Sequence, residues 1–353
     1  MTTIDRLCAA IRPVANEAAQ AAQRHLDELT KPPRSLGRLE ELAVRLVALR
    51  GAVPAVDRPV IFTFAADHGV AAEGVSAYPQ SVTAQMVENF LAGGAAINVL
   101  ARQAGARLVV ADFGVASPLG ARPALLVRRR GPGTANMAVG PAMSRTDAIA
   151  AIEDGAALAE EALDGADSAD LIGIGEMGIA NTTAASAITA VLTATDPGVV
   201  TGPGTGLDAH GIGRKADVIR RALDVNRPDA ADPIDVLAKV GGFEIAGLTG
   251  VVLAAAARRV PVALDGFISG AAALVAARLA PDARDALFAS HRSAEPGHAI
   301  VLADLGLQPY LELSMRLGEG TGAALFVHLA RAAARVYSEM ATFKSAGVDG
   351  PRV

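Results

Sequence analysis

The chain predicts a doubly wound α/β fold with a mostly parallel, Rossmann-like sheet. Short apolar runs such as Pro59–Ala66 and Arg107–Gly114 alternate with longer Ala-rich segments at helical spacing. Hydrophobic residues make up 51% of the 353, yet aromatics only 3% and Trp is absent. That is the Ala/Val/Leu interior of helices packed on a parallel sheet. Glycine-rich and acidic clusters follow the apolar runs or open the helical ones, where an open α/β sheet gathers ligand-binding loops.

Residues 4–29 carry apolar positions at helical spacing and read as one helix, broken at Lys31-Pro32-Pro33-Arg34. Ser35 reads as the N-cap of a second helix to Leu49. Both precede the first strand and form a helical layer beside it. Pro59–Ala66 is a buried strand ending in Asp67-His68-Gly69, followed by a loop over 72–80 and helices over 83–91 and 95–103. The strand at Arg107–Gly114 leads to a shorter one at 125–128, and Arg128-Arg129-Arg130 is a solvated strand end with a phosphate contact as the alternative. Arg145–Leu163 is a long amphipathic helix, residues 170–178 are a strand and glycine turn, and Asn181–Leu192 is an Ala-rich helix. A glycine loop over 202–208 precedes a helix over 213–223 that bears Lys215. After an apolar helix over 245–257 come a strand ending in Asp265, a helix to Leu279 and a loop over 290–297. The residues Ala299-Ile300-Val301-Leu302 read as a last short strand, before a final helix over 321–340 and a polar tail.

A net charge of -5 and a pI near 5.7 argue against nucleic acid or an anionic membrane as the main partner. Cys8 is the only cysteine, which excludes an intrachain disulfide and a cysteine-based metal cluster. No apolar leader segment opens the chain, and the apolar run at 245–257 is too short to cross a bilayer, so cytosol is the expectation.

Three constellations carry chemistry. Glu319 stands between Gly318 and Gly320 at the mouth of the last helix. Flanking glycines let a ligand approach the carboxylate closely, although an acid at a helix N-terminus is stabilising without any ligand. Gly173-x-Gly175-x-x-Gly178 matches the dinucleotide fingerprint between strand and helix and raises an NAD-dependent oxidoreductase as one reading. Against it, Glu176 lies inside the turn, and the nearest candidate for a ribose-binding acid, Asp196, falls in a turn of its own. The same turn offers a seat for a single phosphate, with Asn181, Thr182 and Thr183 as donors at a helix N-terminus and Lys215 as the neutralising charge. The Walker pattern is missing, and so is an acidic pair placed to hold magnesium. A metal-free monophosphate site is the inference, and a non-catalytic nucleotide-binding protein is the other alternative.

Seven stretches in register resemble the nicotinate-nucleotide–dimethylbenzimidazole phosphoribosyltransferases of cobalamin biosynthesis. They are Lys31-Pro32-Pro33-x-Ser35-Leu36-Gly37, Ala66-Asp67-His68-Gly69, residues 175–183, Gly241-Gly242-Phe243-Glu244, Leu264-Asp265-Gly266-Phe267, Ser290-His291-x-Ser293-Ala294-Glu295 and residues 316–322. They cover nearly the whole chain. The resemblance implies transfer of 5-phosphoribose from nicotinate mononucleotide to 5,6-dimethylbenzimidazole, giving α-ribazole 5′-phosphate and nicotinate with inversion at the anomeric carbon and without metal or cofactor. It implies that Glu319 is the general base and Glu176 a second active-site acid. Gly175, Gly178, Asn181, Thr182, Lys215, Ser293 and Asp265 then bind phosphate and ribose, while Tyr78, Met86, Met177 and Leu317 wall the base pocket. It also implies a homodimer, a large catalytic domain over 56–324 and a small helical domain from 1–55 and 325–353.

Overall fold

The computed structural model describes residues 2–51, 55–120 and 122–350. Helices α1 (Thr3–Ala10), α2 (Asn16–Glu28) and α3 (Arg38–Arg50) precede strand β1 (Pro59–Ala66). Helices α4 (Ser81–Ala92) and α5 (Ala96–Ala104) lead to β2 (Arg107–Gly114) and β3 (Leu125–Val127). Next come α6 (Arg145–Leu163), β4 (Leu171–Met177), α7 (Asn181–Leu192), the short α8 (Pro197–Val200), α9 (Ala209–Asn226), α10 (Pro233–Val240) and α11 (Phe243–Ala257). The chain finishes with β5 (Val262–Leu264), α12 (Phe267–Leu279), β6 (Leu287–Ala289), α13 (Pro296–Leu305), α14 (Thr321–Glu339) and α15 (Phe343–Ala346).

The six strands are parallel in the order β3-β2-β1-β4-β5-β6. β1 and β4 are neighbours although β2 and β3 intervene in sequence, so the winding reverses between them. A crevice opens at that point beyond the carboxyl ends of the strands, which is where such sheets bind ligands. Every residue of β1 is buried. Phe62, Phe64 and Ala66 join the large core on one face, whereas Ile61 and Ala65 join a second cluster with Val87, Phe90, Ile97 and Ala324 on the other. The two-residue period of a strand thus feeds both cores from one apolar run. α11 packs on β1, β2 and β4, and α12 on β4 and β5; α14 packs on β1, β4 and β5 from the opposite face.

The amino-terminal stretch departs from the expected single helix. It breaks over residues 11–15, where Pro13 removes a helical donor, and α1 packs against α6 and α11 instead of α2. α2, α3 and α14 form the helical layer, closed by the Leu29–Thr342 bridge and by Thr30 N donating to the Ala341 carbonyl at 3.0 Å. α3 begins at Arg38, capped by Gly37 at φ 54° rather than by the expected Ser35; Glu40 reaches back to accept from Leu36 N at 2.9 Å. The expected strand at 299–302 is the middle of α13, which starts with Pro296 in its first turn. The last strand is β6, which precedes that helix, and its three-residue run carries no separable signal in the sequence. α9 starts at Ala209 because Asp208 caps it through Gly211 N, and α10 starts the same way from Asp232. Of the basic run, Arg130 pairs with Asp154 and Arg128 with Glu161. It is a solvated strand end.

Candidate active site

A cavity of about 450 Å³ occupies the crevice. Its lining includes Tyr78, Met86, Glu176, Met177, Gly178, Asn181, Thr182, Ser293, Leu317 and Glu319. Ten of the thirteen residues singled out in the sequence therefore line one cavity.

The segment bearing Glu319 is strained and heavily braced. Gly318, Glu319 and Gly320 have φ of 89°, 65° and 98°, three left-handed residues in succession immediately before α14. A non-glycine residue in this region costs on the order of 1–3 kcal/mol, which surrounding contacts must offset. Thr63 on β1 donates its hydroxyl to the Glu319 carbonyl at 2.7 Å, and Glu319 N donates to the Glu176 carbonyl at 3.2 Å. Asp265 accepts from Gly320 N at 2.9 Å and from Gly322 N at 2.6 Å. The carboxylate of Glu319 accepts from Ile97 N, in the first turn of α5, at 3.2 Å through Oε2. Its Oε1 has no hydrogen-bond partner among the described residues. Burial raises the Glu319 pKa, opposed by the Ile97 N–H and reinforced by the Asp265 charge. A carboxylate so placed is a stronger base than a solvated one.

Glu176, near the end of β4, accepts a short hydrogen bond from the Asn181 side chain. Burial, then the charges of Asp265 and Glu244, push its pKa up to about 8 against the help from Asn181. Near neutral pH it therefore carries a proton. Two imidazoles stand beside this acidic cluster: His68 meets Glu244 at 2.7 Å, and His291 lies 3.6 Å from Asp265.

At the other end of the cavity Asn181 and Thr182 open α7, and Lys215 reaches in from α9 to donate to Thr182 Oγ1 at 2.7 Å. Lys215 is fully buried, and desolvation lowers its pKa to about 8 despite the Glu295 carboxylate. A buried ammonium with one hydroxyl partner is suited to receive an anion. Ser293 Oγ accepts from Glu295 N at 3.3 Å, and its own N–H donates to His298 Nδ1 at 3.0 Å. Tyr78 and Leu317, at the mouth, are 55% and 58% exposed, and with Met86 and Met177 they offer apolar surface wide enough for a flat ring.

Three of the expected residues lie outside this lining. Lys215 stands behind Thr182 and is not itself part of the lining. Asp265 also lies outside the lining, with both oxygens accepting from the backbone that follows Glu319. Gly175 lies within β4, where a methyl group would stand 2.1 Å from Gly320 N. Gly173 is also inside β4, facing Ala323 and Ile61. These two fingerprint glycines admit α14 and its approach segment instead of forming a pyrophosphate turn, and the dinucleotide reading does not hold. Glu295, Arg316, His291 and Thr205 also line the cavity and had no role assigned from the sequence. The first three fall within the matching stretches quoted above, which was the signal available; Thr205 lies in a glycine loop with none.

A phosphoribosyltransferase family matches this chain over residues 11–348. A nicotinate-nucleotide–dimethylbenzimidazole phosphoribosyltransferase from Desulforudis audaxviator is 56% identical over 350 residues, covering 99% of each protein. The chain belongs to this phosphoribosyltransferase family. A relative of the same name from Geobacter sulfurreducens is 52% identical over 349 residues, again covering 99% of each protein. The crystal structure of CobT from Thermus thermophilus matches the fold with a TM-score of 0.91 at 49% identity, covering 95% of this chain and 100% of that one. The chain is thus a transferase of phosphoribosyl groups, which removes the oxidoreductase and non-catalytic readings. No helix among the described residues is long and apolar enough to cross a membrane.

Proposed function

We propose that the enzyme moves 5-phosphoribose from nicotinate mononucleotide to 5,6-dimethylbenzimidazole. The observation that carries this reading is the cavity itself, with a cation-backed helix N-terminus at one end, exposed apolar side chains at the other and a basic carboxylate between. The phosphate sits on the α7 N-terminus, where Asn181, Thr182, Gly178 and Ser293 surround it and Lys215 supplies charge. The C1′–N bond to nicotinate breaks with its electron pair passing to the ring nitrogen, and the pyridinium becomes a neutral ring that needs no acid to leave. The benzimidazole attacks C1′ from the opposite face through a ring nitrogen, and its N–H proton passes to Glu319. The products are nicotinate and α-ribazole 5′-phosphate. Glu176, protonated, donates a hydrogen bond toward the ribose.

In this reading residues 56–324 form the catalytic body, with helices from both chain ends as a smaller helical unit. The enzyme is a cytoplasmic homodimer, which light scattering of the purified protein tests by its mass. The substrate assignment is tested by incubating the protein with nicotinate mononucleotide and 5,6-dimethylbenzimidazole. Nicotinate and α-ribazole phosphate are expected in equal amounts; nicotinate without the adduct would mean hydrolysis or another acceptor.

The two groups held at about 8 give a pH signature. Below that pH Lys215 is cationic and Glu176 neutral; above it Lys215 loses its charge and Glu176 gains one. Both changes weaken binding of a phosphate dianion, so kcat/KM for nicotinate mononucleotide falls as pH rises through about 8. Lys215→Met raises the donor KM by about 10–100-fold, the loss of one charged hydrogen bond. The alkaline limb that survives in the variant belongs to Glu176. An unchanged donor KM would remove Lys215 from the phosphate site.

A further inference from the structure

One loop touches both ends of the cavity. On the phosphate side, Gly204 N donates to Glu295 Oε1 at 2.9 Å, and a methyl group on Gly204 would stand 2.8 Å from Thr182 Oγ1 and 3.1 Å from Lys215 Nζ. The Gly204 carbonyl accepts from Arg316 at 3.2 Å, one residue before Leu317. The very next residue faces the other way. Thr205 Oγ1 accepts from Ala77 N at 2.9 Å and shares a hydrogen bond with Ser76 Oγ at 3.0 Å, while Ser76 Oγ also accepts from Tyr78 N at 3.2 Å. Gly204 and Gly206, at φ 52° and 114°, flank Thr205 with backbone that glycine adopts without strain.

We infer that Thr205 is a positioning residue for the acceptor: its hydroxyl pins the Ser76–Tyr78 segment to the same loop that closes the phosphate end. The 76–78 segment has few other ties. Tyr78 is more than half exposed, so this hydroxyl pair, which holds the backbone of Ala77 and Tyr78, sets the place from which its ring projects. The peptide at Gly204 is in contact with the groups that receive phosphate, so the acceptor wall is set one residue away from the donor anchor. The enzyme thereby builds its acceptor surface on the loop that also borders the donor anchor.

This inference rests on the proposed substrates, and steady-state kinetics with nicotinate mononucleotide and 5,6-dimethylbenzimidazole separate the two. Thr205→Val keeps the side-chain shape and removes both hydrogen bonds. It is expected to raise the acceptor KM by about tenfold while the donor KM and kcat stay within about twofold. Thr205→Ser restores the wild-type acceptor KM, and Ser76→Ala reproduces the split from the other side. An acceptor KM unchanged in Thr205→Val overturns the inference, as do donor and acceptor constants that rise together. Wild-type protein that transfers nothing overturns the substrate reading first and this inference with it.

Discussion

Glu319→Gln lowers kcat for transfer by about 10²–10⁴-fold, the range lost when a positioned general base is removed. The substitution is close to isosteric, and the amide oxygen still accepts from Ile97 N where Oε2 does now. The Gly318–Gly320 backbone keeps its contacts to Thr63 and Asp265, so the fold survives. Stability holds or rises, because a buried carboxylate is replaced by a neutral group. Both Michaelis constants stay within about threefold if the group acts mainly in the transition state. Activity in the wild type falls as pH drops through the raised pKa of Glu319, since only the ionised form accepts the proton. That acid limb is lost in the variant. A kcat within about tenfold of wild type would move the base elsewhere in the cavity.

Gly175→Ala has the second large effect, and it acts on structure first. The added methyl would meet Gly320 N at 2.1 Å and the Glu319 carbonyl carbon at 2.4 Å, both backbone atoms of the braced segment. Neither can swing aside as a side chain would. Overpacking of this kind costs about 1–3 kcal/mol and sometimes more. Relief must come from moving the segment, and a displacement of about 1 Å at a catalytic group costs roughly 10²-fold in rate. A lower melting temperature together with a lower kcat is the expected pair of results. Gly213→Ala is the control: it lies in α9 with nothing within 4 Å of the new methyl, so it should leave activity alone and stabilise by about 0.5–1 kcal/mol. If Gly175→Ala keeps wild-type kcat, the close approach of β4 and Gly320 does not set the position of the base.

These two positions also show what could be read from the chain alone. Glu319 stands out in the sequence as a carboxylate between two glycines before a long amphipathic segment, and the fold brings it to the cavity. Gly175 is legible as a glycine the fold needs, though its packing role is not. Its spacing fits a nucleotide turn, and only the fold shows that a distant helix approaches it. Asp265 is legible as a strand-end carboxylate, which points toward ligands in general; that both its oxygens accept from backbone N–H groups 55 and 57 positions further on is visible only in the fold. The long strands β1 and β2 were plain, since apolar runs of that length between turn signals have few alternatives. The four residues at 299–302 are not, because so short an apolar run fits a strand or a buried helix, and the only local mark of the helix is Pro296 at its start. α1 escaped for want of a local signal that it leaves α2 and joins α6.

α14 sets a condition on how this protein is made. It covers β1, β4 and β5 from one face, yet it begins only at Thr321, long after those strands have been synthesised. A nascent chain leaving the ribosome can pair its strands and seat α11 on the far face, while the near face, covered in part by α4 and α5, lacks α14 until the last turns emerge. During that interval Ile61, Ile97 and the rest of the second core cluster lack Ala324 and its helix. Glu319 arrives on the same segment as the cover, so completion of the cavity and burial of that face are achieved in one late event. Chains cut short before residue 321 are expected to need a chaperone to stay dispersed, and none of them to turn over substrate.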